Sequence, residues 1–69
     1  MSITRIEVTW NKPDGTKPAI GFRVSPNAPD RDDEEMQVTK AKAGAQAHFH
    51  QKFGAPPPPS ELSVQVFRE

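Results

Sequence analysis

The chain has no cysteine, which excludes disulfides and thiolate metal sites and fits a reducing compartment. It has no net charge either, with nine Lys+Arg against nine Asp+Glu. A whole-chain basic footprint for nucleic acid is therefore missing, and so is a strong acidic field. No apolar run approaches bilayer length, and Met1-Ser2-Ile3-Thr4-Arg5 lacks the apolar region of a signal peptide. A soluble, cytoplasmic protein is expected. The glycines at 15, 21, 44 and 54 are scattered, so no glycine-rich phosphate loop exists. Ser2, Ser25, Ser60 and Ser63 have no nucleophile-elbow or triad context. So short a chain has little room for a pocket that encloses a substrate. Neither catalysis nor a cofactor is expected.

Apolar residues are also few, at 33 %, and the mean hydropathy is −0.75. Sixty-nine residues make a single domain, 1–69, with a small core and marginal stability. Such a chain stands to gain from self-association or a partner.

What the chain does have is proline. Pro56-Pro57-Pro58-Pro59 cannot continue a helix or pair in a central strand, because each residue lacks an N–H and has a fixed φ. The run separates a helical segment on its left from an alternating segment on its right. Further upstream, Ile6, Val8 and Trp10 alternate with Arg5, Glu7 and Thr9, the pattern of a half-buried strand. Pro13-Asp14-Gly15 is a turn, and Ile20, Phe22 and Val24 form a second, antiparallel strand. Leu62, Val64 and Val66 form the last strand, expected beside the first and antiparallel to it.

Residues 30–39 admit two readings. In one, Asp32 caps a long helix running to Phe53, with Glu35 at the capping-box position. In the other, Met36-Gln37-Val38 is a short third strand and Thr39 caps a helix from Lys40. The second gives Met36 and Val38 a shared face and is favoured. In both, Gly54 ends the helix. The fold class is α+β: a small antiparallel sheet of three to four strands packed on one α-helix. The expected core is Ile6, Val8, Trp10, Ile20, Phe22, Val24, Ala41, Ala45, Phe49, Phe53, Leu62, Val64 and Val66.

Several clusters bear on function. Asp30, Asp32, Asp33, Glu34 and Glu35 form an acidic segment suited to a basic partner, without the spacing of a calcium loop. Ile3 and Phe67 are expected on the outward sheet face, as an apolar spot flanked by Arg5, Arg23 and Gln65. Lys40, Lys42 and Lys52, with Arg5 and Arg23, make a candidate nucleic-acid surface. Strands followed by Lys-Ala-Lys-Ala at a helix start resemble the end of a double-stranded-RNA-binding domain over about fifteen residues. That family's first helix is missing here, and the last strand has no counterpart there. His48 and His50 point to different sides of a helix and do not chelate one metal. The proline run reads as a stiff connector rather than a ligand for an aromatic groove.

The function expected from these features is a small non-enzymatic interaction protein that docks on a larger protein or nucleoprotein complex. Its acidic segment is the first candidate contact, and the outer sheet face with Ile3 and Phe67 is the second. Its size, neutrality and lack of cysteine match the format of phage and mobile-element accessory proteins, including inhibitors of host or defence complexes such as anti-CRISPR proteins. The alternatives are a nucleic-acid-binding module and a homodimer paired through an open sheet edge.

Overall fold

In the computed structural model, which describes residues 2–69, strand β1 (Ile3–Trp10) is the spine of the fold. Its alternating side chains bury one face and leave the other to solvent. The turn after it is built as its residues dictate. Gly15 donates to the Lys12 carbonyl at 3.0 Å, the Thr16 hydroxyl donates to Asp14 Oδ1 at 2.6 Å, and Gly15 sits at φ +92°, where only glycine is unstrained. The chain then returns as β2 (Ala19–Arg23). Helix α1 (Glu34–Phe53) follows, then a 3-10 turn at Pro59–Glu61, then β3 (Leu62–Arg68). The strands form one antiparallel sheet in the order β2-β1-β3, and α1 covers one face of it. This is a small α+β fold.

Among the two readings of residues 30–39, the long helix is the one the protein adopts. Met36-Gln37-Val38 is helical, and Thr39 is no cap: its hydroxyl donates back to the Glu35 carbonyl. The cap is Asp33, one residue later than the sequence pattern suggests, and its side chain accepts the Met36 N–H at 3.1 Å. Glu35 accordingly stands one position short of a capping box. The strand reading rested on burying Met36, but the protein leaves it 44 % exposed. Gln37 takes an inward position instead and donates to the Asp30 carbonyl at 2.8 Å. At the other end Gly54 adopts φ +85° and donates to the His50 carbonyl, the expected left-handed stop.

The core consists of Ile3, Ile6, Val8, Trp10, Val24, Ala41, Ala45 and Phe49. It is centred on β1 because α1 lies over that strand. Ile20, Phe22, Leu62, Val64 and Val66, on the flanking strands, pack against it half-buried. Phe53 lies at the rim, 40 % exposed, with its ring edge-on to Trp10 at 5.7 Å.

Ile3 departs from expectation. Simple alternation puts it on the face opposite Ile6, but the β1–β3 pairing slips between Ile3 and Arg5. One extra residue, Thr4, turns Ile3 back to the helix side, where it is only 3 % exposed. Met1 lies outside the described residues.

Candidate functional site

Part of the acidic segment holds the fold. The Asp30 carboxylate receives the Lys40 ammonium at 2.6 Å, and that hydrogen bond holds its pKa below the ordinary value. Arg31 Nε stands 3.9 Å from Asp32, Asp33 caps the helix, and Glu34 pairs with Arg68 at the end of β3. Glu34 and Glu35 also occupy the first helical turn, where negative charge meets the positive end of the helix dipole. Glu35 alone has neither an ion-pair partner nor a capping role among the described residues. Of these five acids, Asp30, Asp33 and Glu34 thus have close side-chain partners within the fold, Asp32 has a long contact to its neighbour Arg31, and Glu35 has none among the described residues.

The candidate basic surface divides in the same way. Lys40 is paired with Asp30. Lys52 lies 5.7 Å from the Phe53 ring, which Lys12 also covers at 4.5 Å; both contacts are cation–π attractions. Lys40, Lys42 and Lys52 belong to the helix, whereas Arg5 and Arg23 project from the uncovered sheet face. The fold therefore brings the two arginines together and leaves the helical lysines elsewhere.

On the uncovered face, the register aligns Arg23, Arg5 and Phe67 in one row across β2, β1 and β3. Phe67 is 37 % exposed and remains the apolar element of that face, without Ile3. Arg5 reaches Glu7 only weakly, at 3.4 Å. Its guanidinium lies across Gly21, where any Cβ would collide with it. Arg23 has no ion-pair partner among the described residues. Trp10 N–H donates to the Pro18 carbonyl, and Val24 N–H donates to Thr4. The even-numbered residues of β1 therefore bond to β2, and Arg5 and Arg23 form a non-hydrogen-bonded pair with Cα atoms about 4.5 Å apart.

Beyond that row the face falls into a cleft of about 610 Å³ at the start of β1, lined by Arg5, Arg23, Arg31 and Glu69 among others. Arg31 enters from the loop before the helix. It is anchored by donating to the Pro26 carbonyl at 2.8 Å and to Ser2 Oγ at 2.6 Å. Sequence patterns gave no reason to group Arg31 with Arg5 and Arg23, because the loop's return to Ser2 is a tertiary event.

The free edges differ. Asn11 N–H donates to Glu61, which sets the phase of the β1–β3 ladder: residues 63, 65 and 67 bond inward, and the N–H and C=O of Val64 and Val66 point away from the sheet. Leu62 N–H is used by the Pro59 carbonyl. From Leu62 to Phe67 this edge carries no charge and no proline. The edge of β2 is shorter and bracketed by Pro18 and Pro26.

The proline run is a structural strap. Pro57 is fully buried, and its carbonyl accepts from Gln46 at 3.3 Å, so the run is pinned to α1 at that residue. His48 and His50 are both exposed, and no cluster of potential metal ligands occurs among the described residues. No described helix is long and apolar enough to cross a membrane. No family model, curated protein or solved structure matches the chain.

Proposed function

We propose that the chain is a non-enzymatic protein-interaction domain that docks on a larger partner by accepting a strand of that partner along the free edge of β3. The supporting observation is the edge itself: the unpaired N–H and C=O groups of Val64 and Val66, on a strand whose Leu62, Val64 and Val66 are only half-buried. Backbone groups of this kind template an added strand. Protective devices such as an edge lysine, a proline or a charge are absent from Leu62 to Phe67. Phe67, beside Arg5, supplies an aromatic contact of the type enriched in interfaces. An inhibitor that covers part of a host or defence complex, anti-CRISPR-like in format, is the biological form proposed for this docking, on grounds of size and charge balance. The acidic segment is no longer the favoured contact, since most of its carboxylates already have partners.

The test is differential capture from nuclease-treated native lysate. A proline at position 64 removes an N–H that β1 does not use, so Val64→Pro should keep the circular dichroism spectrum while losing the partner. A protein captured by the wild type and by an Asp32→Lys variant, but not by Val64→Pro, is the expected result. Equal capture by Val64→Pro would remove the edge from consideration, and loss in Asp32→Lys alone would return the contact to the acidic segment.

The same edge supports a second reading, a homodimer, because the alternation is self-complementary. Two β3 strands paired about Gln65 set Val64 opposite the partner's Val66. Gln65→Glu and Gln65→Lys would each weaken that dimer and restore it when mixed. A mass independent of concentration in sedimentation would end this reading.

A further inference from the structure

We propose that the cleft formed by Arg5, Arg23 and Arg31 binds the phosphate group of a small phosphate-bearing ligand. This inference is independent of strand addition at β3.

Like charges directly opposite each other on neighbouring strands destabilise a sheet, and Arg5 faces Arg23 across β1 and β2. Glu7 relieves Arg5 only at 3.4 Å, and nothing among the described residues relieves Arg23. A third guanidinium, that of Arg31, lines the same cleft, held by the Pro26 carbonyl and Ser2 Oγ. Those two bonds use two of its five N–H donors. Within the lining itself three arginines face one carboxylate side chain, that of Glu69; Glu7 and Asp32 stand 3.4 Å from Arg5 and 3.9 Å from Arg31, which leaves Arg23 as the guanidinium without an ion-pair partner among the described residues. An anion resolves the repulsion.

The number and origin of the donors select the anion. A carboxylate presents two coplanar oxygens, which one guanidinium fork can satisfy. A phosphate monoester presents three strong acceptor oxygens and suits guanidinium groups arriving from two strands and a loop. The volume of about 610 Å³ exceeds what a phosphate alone fills and falls in the range of small-molecule sites. There is therefore room for the group that carries the phosphate. Gly21 completes the arrangement: with no Cβ, it lets the Arg5 guanidinium lie along the floor.

The experiment titrates the whole chain with inorganic phosphate, with a nucleoside monophosphate and with acetate at matched ionic strength, following the arginine Nε resonances and the melting temperature. Saturable shifts at Arg5, Arg23 and Arg31 with both phosphates, and none with acetate, are expected. Tighter binding of the nucleoside monophosphate assigns the remaining volume to the carrier group, and equal affinity assigns the site to free phosphate. Loss of one charge-assisted contact in Arg23→Gln should weaken binding about tenfold or more, with partial retention in Arg23→Lys. Without ligand, Arg23→Gln should melt above the wild type, because a repulsion is gone. Saturation by acetate with equal affinity, linear shifts with every anion, or unchanged phosphate affinity in Arg23→Gln would each overturn the proposal.

Discussion

Replacing Phe49 by alanine is the sharpest probe of how this small core is held. Phe49 is 1 % exposed. Its ring lies 5.7 Å from Trp10 and 6.0 Å from Phe53, so it joins the helix to the end of β1. Truncating a buried phenylalanine costs about 3–5 kcal/mol, through lost transfer energy and the cavity left behind. A domain of this length has a total stability of roughly 3–10 kcal/mol. Phe49→Ala should therefore lose from about a third to all of that stability, whereas Phe49→Leu, which keeps most of the apolar volume, should lose clearly less. Urea unfolding reports both, with Trp10, the single tryptophan, as the fluorescent probe and circular dichroism as the check on two-state behaviour. If Phe49→Ala kept its slope and lost less than about 1 kcal/mol, the collapse around it would have to be complete, and the picture of a core centred on β1 and Phe49 would fail.

Two further expectations concern the acidic segment. Asp33→Ala removes the helix cap and should cost about 0.5–2 kcal/mol, while Asp32→Ala, one residue away and exposed, should stay within about 0.5 kcal/mol; denaturant midpoints for the two variants check the assignment. The Asp30 carboxyl is held below its ordinary value of 3.8, chiefly by the hydrogen bond from Lys40, and Asp14 is held below its own by the Thr16 hydroxyl. A depressed carboxyl stabilises the fold fully above its unfolded pKa and loses that contribution as pH falls through the folded value. Melting temperatures should therefore drop on acidification below about pH 4, and less steeply in Asp30→Asn and Asp14→Asn. Identical acid profiles for wild type and variants would show that neither contact matters.

The sequence by itself determined three strands, a helix that ends at Gly54, and their order. Period-two runs at Ile6–Trp10, Ile20–Val24 and Leu62–Val66, the Pro13-Asp14-Gly15 turn, and Gly54 before four prolines each act locally. Each element is therefore legible from neighbouring residues, and the prolines can hold nothing but a connector. The absence of cysteine likewise excluded disulfides. Tertiary structure decided three things that local pattern does not encode. It turned Ile3 inward, because a bulge at Thr4 gains the burial of an isoleucine that strict alternation would expose. It made Met36-Gln37-Val38 helical, because the Asp33 cap and the inward-facing Gln37, with its bond to the Asp30 carbonyl, outweigh the burial of one methionine. And it converted the charge runs into discrete pairs: Lys40 with Asp30 and Arg68 with Glu34, leaving Arg5, Arg23 and Arg31 to meet in a cleft. Charge position along a chain says little about charge position in space, since strand register and loop return set the latter. For that reason the acidic segment stood out in the sequence, and the arginine cleft and the open edge of β3 came into view only with the fold.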